Sequence, residues 1–239
     1  MSQIPITDFI AVAWLAVFWI GYTSYTDGGN PRRHSLRAVM HKHRYRWMSQ
    51  ILKRENRMMD ASILGQLGHG ASFFASTTVL ILAGLFTMLG SSDEAIGALR
   101  QIPFAGKETS LQWELKVIVL IIVFVHAFFK FTWALRQFNY CGVLIGGATA
   151  EKHGVDEDFA RNAAWVSTLA SKDFNQGLRA YYFGLAVLSW FVSVWAFMGT
   201  TVLVVAVLYW REFQSEALRT LELRSDPEAA KARSKGARK

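Results

Sequence analysis

Residues 114–140 read ELKVIVLIIVFVHAFFKFTWALRQFNY, an apolar stretch interrupted by His126 and Lys130. The stretch is long enough to cross a bilayer as one helix, since a crossing needs about 20 mostly apolar residues. An ionisable side chain inside such a helix is costly and needs a partner, a water-filled cavity or a route to the interface. This segment therefore predicts a membrane helix and marks the place where we expect a functional site.

Three further apolar stretches complete a predicted bundle of four transmembrane helices. The four spans cover about residues 6–25, 63–90, 115–135 and 181–210. No strand-like alternation separates them, and the composition agrees, with 52% hydrophobic and 18% charged residues. The first span lacks the basic leader and the cleavage site of a signal peptide, so we expect it to be retained. The predicted fold class is an all-α integral membrane bundle with four long transmembrane helices and a basic amphipathic cytoplasmic helix.

The loop after the first span is strongly basic. Residues 31–57 hold nine lysines and arginines and one glutamate, whereas the loop before the third span is more acidic than basic. Because basic loops stay in the cytoplasm, we expect residues 31–60 to be cytoplasmic, in a bacterial inner (plasma) membrane. The tail is also basic, yet four crossings would place it outside, so its side is left open.

The fourth apolar run, residues 181–210, does not fit a single upright crossing. It is too long for one such helix and too short for two. We expect one long tilted helix, with a re-entrant hairpin as the alternative. On this basis residues 1–215 form the membrane domain and residues 216–239 form a charged tail.

The basic segment is predicted to be helical and to lie near the membrane surface. A stripe of residues recurs near helical spacing with basic residues between its members, namely Leu36, Met40, His43, Trp47, Ile51 and Met58. Such a helix commonly docks on anionic headgroups, although a solvated charge cluster that only sets the topology is the alternative. Nucleic acid is not an expected partner, because no readout fold is recognisable. The residues expected to contact lipid are Arg32, Arg33, Arg44, Arg46 and Trp47.

Polar residues of several spans are predicted to converge in the cytoplasmic half of the bundle. By depth, His126 lies near the midplane and Lys130 about 9 Å from the inner boundary. Asp60 paired with Lys130 or Arg136 would only lock two helices together, whereas a polar pocket or water-filled vestibule would be functional; both are left open. The predicted cluster consists of Asp60, His69, His126, Lys130, Arg136, Asn139, Asn175 and Arg179.

No catalytic, metal or cofactor site is predicted. The sequence contains none of the nucleotide-binding, serine hydrolase or zinc-protease patterns. Cys141 is the single cysteine, which excludes an internal disulfide and a cysteine metal cluster. Haem held by His69 and His126 is disfavoured, because their depths differ by roughly 10–15 Å and axial ligands must meet at one iron.

Six short strings carry a resemblance to a known family: SFFAST (72–77), ELK (114–116), FFKFTW (128–133), LRQFNY (135–140), RAYYF (179–183) and LYWREF (208–213). They resemble the DUF599 family, and the resemblance covers nearly the whole chain except about its last 20 residues. Members of that family are multi-helix membrane proteins of bacteria and plants without an assigned activity, so the resemblance implies a membrane fold and no mechanism. Lys130, Arg136, Gln137 and Asn139 lie inside the strings, and His69 and His126 lie outside them.

Three function classes follow from these features. The first is a non-enzymatic transport or channel-like protein, expected as a homo-oligomer, whose cationic lining at Lys130 and Arg136 would favour anions. The second is a scaffold that docks its basic helix on anionic lipid. The third, a membrane enzyme acting on lipid, lacks a paired acid and base and is the weakest of the three.

Overall fold

The computed structural model describes residues 5–28, 35–91, 97, 109–148 and 157–225. These residues fold into seven long helices and one short turn of 3₁₀ helix, Ser189–Phe191. The longer helices are α1 (Ile6–Asp27), α2 (Leu36–Ile51), α3 (Met58–Gly90), α4 (Ser110–Gly147), α5 (Glu157–Leu188), α6 (Val194–Phe213) and α7 (Glu216–Ser225).

Four segments are long and apolar enough to span a membrane. They are α1, α3, α4 and the segment Val194–Leu221, which contains α6 and the beginning of α7. Large apolar side chains point outward, and Ile6 and Trp195 are 77% and 80% exposed. A soluble protein rarely leaves contiguous apolar surface of this kind in water. The predicted all-α membrane class with four apolar spans is confirmed.

The chain divides into two compact units, and four helices contribute residues to both. The first unit comprises Met1–Gly29, His69–Ala134 and Lys172–Ala206. Its core is a cluster of side chains from α3, α4 and α5 in which Phe131 is fully buried. The Phe131 ring stacks on Phe74 with centroids 5.2 Å apart.

Close approach between α4 and α5 depends on glycine. A Cβ placed on Gly177 would lie 2.6 Å from the ring of Phe131, and one on Gly184 would lie 3.0 Å from the ring of Phe124. Small residues at such contacts let membrane helices approach closely, where van der Waals packing replaces the hydrophobic driving force. These two glycines therefore admit the aromatic rings of α4 against α5.

One end of the first unit is tied together by polar contacts. The indole of Trp190 donates to Asp8, which also accepts from the Gln112 amide. Lys116 is 3% exposed and donates to the carbonyl of Trp190 across 3.0 Å. The indole of Trp113 donates to the carbonyl of Met88. The start of α1 thus lies beside the start of α4 and the end of α5.

The second unit comprises Asn30–Gly68, Leu135–Ser171 and Val207–Lys239. Within it, Arg57 donates to the carbonyls of Ile145 and Ala148 at the end of α4. Leu64 contacts Gly142, so the beginning of α3 packs against the end of α4. Helices α2 and α7 also pack against each other.

The fourth apolar run is not one tilted helix, so that expectation is wrong. Helix α5 ends at Leu188, and α6 begins at Val194 after the 3₁₀ turn. A break leaves backbone carbonyls without helical partners, and here Lys116 supplies a donor to the carbonyl of Trp190. The Ser189 hydroxyl also donates a hydrogen bond to the carbonyl of Ala186.

Helix α2 covers only part of the basic segment at residues 31–60. Helix α2 begins after Ser35, whose hydroxyl accepts from the amide of Ala38, and it ends at Ile51. The side chain of Asn56 accepts a hydrogen bond from the amide of Met58 at the start of α3. The basic segment therefore contains α2 and the connection to α3.

Candidate functional site

A cavity of about 450 Å³ lies within the first unit. Its volume falls in the range of roughly 300–1,000 Å³ that is typical of small-molecule sites. One part of the wall is apolar, formed by Trp19, Ile20 and Ile122, and the remainder is polar. The polar part consists of Thr23, Ser24, His126, Lys130 and Gln176.

Helical spacing explains why these residues share one cavity. Ile122, His126 and Lys130 are each four residues apart on α4, so they lie on one face. On α1, Trp19 and Thr23 have the same spacing. His126 meets the Trp19 ring edge-on at 5.3 Å between centroids, which joins the two faces.

Lys130 is neutralised by a carboxylate from α5. Its Nζ lies 3.0 Å from Oδ1 of Asp173, and the two side chains are 30% and 12% exposed. A pair of opposite charges largely removed from water is stable only because each compensates the other. The cationic lining expected from the sequence is therefore an ion pair at this position.

A second set of charged side chains lies at the end of α1, beside the cavity. Asp27 lies 3.4 Å from Nη1 of Arg179 and 4.0 Å from Nζ of Lys172. Nη1 of Arg179 also donates to the Thr26 hydroxyl across 2.8 Å. A carboxylate at a helix C-terminus opposes the helix dipole, so these two cations offset an unfavourable position.

Gln176 connects the cavity to this ionic group. Its amide nitrogen donates to Asp27, while the residue itself forms part of the cavity wall. Its Oε1 is buried, with no hydrogen-bond partner among the described residues.

Three members of the predicted polar cluster lie at or beside the cavity of the first unit. His126 and Lys130 line the cavity, and Arg179 contacts Asp27, which bonds to the cavity residue Gln176. His69 and Asn175 are exposed residues of the first unit. The remaining members of the cluster, Asp60, Arg136 and Asn139, belong to the second unit.

Asp60 has a different partner from those considered in the sequence analysis. It is fully buried and accepts from the Trp47 indole at 2.7 Å and from Arg54 at 2.6 Å. It therefore fastens α2 to the start of α3. Arg136 and Asn139 are exposed, and Arg136 donates to the Tyr140 hydroxyl.

The predicted lipid-contacting residues are not uniformly placed. Arg44 donates to the Ser171 hydroxyl at 2.8 Å, and the Trp47 indole is held by Asp60. Arg46 is exposed. Arg32 and Arg33 lie outside the described residues. Arg44 and Trp47 therefore hold α2 against its neighbours within the second unit.

Sequence reasoning missed the carboxylates of the site, Asp27 and Asp173. Lys172 and Gln176 are also absent from the predicted cluster, and residues 157–180 are not among the predicted helices. The signal was present: Ala160, Ala163, Ser167 and Ala170 recur at helical spacing and are fully buried. Among the described residues, no group of three or more His, Cys, Asp or Glu is placed to hold a metal ion.

The long apolar helices and the paired charges between them define a multi-pass helical membrane protein. A family model described as "Protein of unknown function, DUF599" matches residues 10–217, and the chain belongs to that family. No curated protein and no solved structure matches the chain.

Proposed function

We propose that this protein is a small, non-enzymatic transport protein that binds a small polar solute in the cavity between α1, α4 and α5. The observation that carries the proposal is the Lys130–Asp173 pair beside a cavity of about 450 Å³. Ionisable groups inside membrane helices are costly, and where they occur they commonly mark solute or ion pathways.

The wall of the cavity supports solute binding rather than a purely structural role. A structural ion pair is best sealed by apolar packing, but Lys130 keeps 30% of its side chain accessible and faces a space large enough for a ligand. The same wall supplies hydroxyls from Thr23 and Ser24. Apolar walls with a few convergent polar groups are the usual composition of a small-molecule site.

The proposed setting is a bacterial inner membrane with α2 on the cytoplasmic side. The nine basic residues of residues 31–57 support this orientation through the positive-inside rule. Because the cavity is formed within one chain, solute binding needs no subunit interface. The proposed partners are membrane lipids and, for assembly, further copies of the chain.

Solute flux through reconstituted liposomes tests the proposal. The panel comprises small inorganic anions, short carboxylates and amino acids, each measured against protein-free liposomes. Lys130→Leu removes the cavity charge, and we expect it to reduce flux by at least about tenfold. Lys53→Leu is the matched control at an exposed lysine and should leave flux unchanged. Absence of flux in the parent protein, or full flux in Lys130→Leu, would contradict the proposal.

A scaffold that docks on anionic lipid is the second candidate. It is favoured by the exposure of Lys42, Arg46 and Lys53 in and just after α2. Basic residues near an anionic surface each contribute about 1 kcal/mol. Neutralising Lys42 and Arg46 should remove the thermal stabilisation that anionic lipid gives the protein in nanodiscs. Stabilisation that persists in this double variant would exclude the scaffold.

A further inference from the structure

We infer that the solute of this cavity is a small aliphatic monocarboxylate, held by its carboxylate at Lys130 and at the hydroxyls of Thr23 and Ser24. The inference rests on the proposed function and names the class of substrate. It starts from the wall, because the eight described residues that line the cavity include one lysine and no aspartate or glutamate. An anion therefore meets an opposite charge in the wall, whereas the ammonium of a cation or a zwitterion meets none.

Lys130 can bind a carboxylate without giving up its ion pair. An ammonium group has three hydrogens, and among the described residues Nζ of Lys130 donates one of them, to Oδ1 of Asp173 at 3.0 Å. Lys130 lines the cavity, and Asp173 is not among the described residues that do. Asp173 also has an interaction other than that with Lys130. Two hydrogens of Nζ therefore remain for a ligand that approaches from the cavity, and Asp173 needs no displacement.

Two hydroxyls supply further donors to the cavity. Thr23 and Ser24 line it, and their hydroxyls make no hydrogen bond to the described residues. The hydroxyl of Thr26, by contrast, donates to the carbonyl of Tyr22 within α1. A carboxylate only accepts hydrogen bonds, and bonds to a charged acceptor are roughly twice as strong as those between neutral groups. Donors gathered in this way favour a carboxylate.

The ion pairs beside the cavity carry a surplus positive charge. They join three cations, Lys130, Lys172 and Arg179, to two carboxylates, Asp27 and Asp173. A charge held away from water is costly unless an opposite charge compensates it. One bound carboxylate brings the sum of these charges to zero, whereas a dicarboxylate would leave a negative charge without a partner.

Helices α1 and α4 run in the same direction along the cavity. Gln112 donates to Asp8 near the starts of the two helices. His126 contacts Trp19 further along both of them. A residue that follows Trp19 in α1 and a residue that follows His126 in α4 therefore lie on the same side of this contact.

The polar and apolar parts of the wall consequently lie at opposite ends of the cavity. Thr23 lies four residues after Trp19 in α1. In α4, Lys130 lies four residues after His126, and Ile122 lies four residues before it. The two ends are about 12 Å apart along α4, at 1.5 Å per residue. A solute that matches both ends is charged at one end and apolar at the other.

The apolar end accepts a hydrocarbon chain. Its wall consists of Trp19, Ile20 and Ile122. Ile20 and Ile122 are also 65% and 61% exposed on helices that are apolar enough to span a membrane. A chain at this end therefore contacts either the wall or lipid, and both are apolar. Each methylene that leaves water in this way strengthens binding by up to about fourfold.

Four probes test this class of substrate. Hexanoate has both the carboxylate and the chain, hexylamine has an ammonium in place of the carboxylate, 2-aminohexanoate adds an ammonium, and acetate lacks the chain. Binding to the purified full-length protein in phosphatidylcholine nanodiscs is measured by titration calorimetry, with protein-free nanodiscs as the blank. We expect hexanoate to bind at least about tenfold more tightly than each of the other three, through its charged hydrogen bonds and its buried chain.

Removing the two hydroxyls separates binding from a structural role. Thr23→Val and Ser24→Ala together delete donors that make no hydrogen bond to the described residues, so the unfolding midpoint should not change. Hexanoate should nevertheless bind at least about threefold more weakly. Thr87→Val is the matched control, at an exposed threonine of α3 whose hydroxyl donates to the carbonyl of Ala83. It should bind hexanoate as the parent protein does.

Variants of the lysine test the charged contact. Lys130→Gln should weaken hexanoate binding at least about tenfold, whereas Lys130→Arg keeps the charge and should keep the preference for hexanoate over hexylamine. Lys53→Gln, at an exposed lysine, should behave as the parent protein. If Lys130→Gln does not fold, the double variant of Thr23 and Ser24 decides the question.

Each outcome supports or overturns the inference. Any of the other three probes that binds as tightly as hexanoate overturns it, and so does unchanged hexanoate affinity in the double variant. Flux of another solute without binding of hexanoate would leave the proposed transport function intact and overturn only the substrate class. Hexanoate binding without flux of any solute would retain the carboxylate site and contradict transport. Absence of both binding and flux would overturn the two together.

Discussion

Trp190 donates its indole hydrogen to the Asp8 carboxylate across 3.2 Å, joining residues that are 182 positions apart in the chain. Asp8 is 2% exposed and also accepts from Gln112, so one carboxylate connects the starts of α1 and α4 to the end of α5. This contact lies where the apolar run predicted as one helix is broken.

Removing the Asp8 carboxylate should destabilise the protein. Asp8→Ala leaves the Trp190 indole and the Gln112 amide without their acceptor, which we expect to lower the free energy of unfolding by about 1–3 kcal/mol. Unfolding in mixed micelles with increasing SDS measures the change. Asp158→Ala, at an exposed carboxylate that pairs with nearby Arg161 within α5, is the control and should change stability by no more than about 0.5 kcal/mol. Equal losses in both variants would contradict this role.

Glycine is required at position 177 but not at position 70. The Cβ of Gly177→Ala would lie 2.6 Å from Phe131, so the variant should lose about 1–3 kcal/mol through overpacking. Gly70→Ala meets nothing within 4 Å and should be neutral or slightly stabilising. The same unfolding assay compares the two variants. A Gly177→Ala protein as stable as the parent would show that α4 and α5 can separate without loss.

The basic helix α2 and the segment after α6 should lie on the same side of the membrane. Nε2 of His43 lies 3.2 Å from the carbonyl oxygen of Leu221, and the Arg37 amide donates to Glu212. Three apolar spans separate these segments, and an odd number of crossings cannot return the chain to one side. We therefore expect α5 to cross as well, its charged groups compensated by α1 and α4.

Cysteine labelling in intact cells or oriented vesicles checks this topology. Lys42→Cys and Arg219→Cys, both at exposed positions, should react with a membrane-impermeant maleimide from one side. Thr109→Cys, just before α4, should react from the other. Native Cys141 is buried and serves as the unreactive background. Labelling of positions 42 and 219 from opposite sides would show that α5 does not cross.

Stability should fall in mild acid because of His41. Its ring nitrogen lies 2.9 Å from the Thr168 hydroxyl, and burial, followed by the charges of Arg44 and Arg37, lowers the pKa of His41. The unfolded chain then binds a proton more readily than the folded one. The stability that neutral His41 contributes is complete above the unfolded pKa of about 6.5 and is lost as the pH falls below it.

His41→Asn keeps a polar partner for Thr168 and removes the titrating group. The unfolding free energy of the parent protein minus that of the variant should therefore decrease as the pH is lowered from about 7 to about 5. Unfolding measured at several pH values gives this difference. A difference that does not change with pH would contradict the assignment to His41.

Three apolar spans could be read directly from the sequence because each is a local property. The runs that became α1, α3 and α4 carry enough apolar residues to be recognised without knowledge of their neighbours. Helix α5 could not be recognised in this way, since Lys172, Asp173 and Arg179 reduce its hydropathy. Those residues are tolerated only because other helices supply Lys130 and Asp27 as partners.

Only part of the candidate site could be predicted from the sequence, because its residues come from separate helices. His126 and Lys130 stand out inside an apolar helix, and both line the cavity. Asp173 lies 43 residues after Lys130, and Asp27 lies 152 residues before Arg179. Spacing along a helix cannot reveal such partners, because they meet only when separate helices pack.

The sequence by itself determined the class of protein, the all-α membrane fold and the position of an unusual lysine in its third apolar span. Only the tertiary structure decided that this lysine is paired with Asp173, that Asp60 binds Trp47 instead, and that the last apolar run breaks near Trp190. Hydropathy is a sum over neighbours in the chain. Charge compensation and the capture of free carbonyls depend on groups that packing brings together from distant positions.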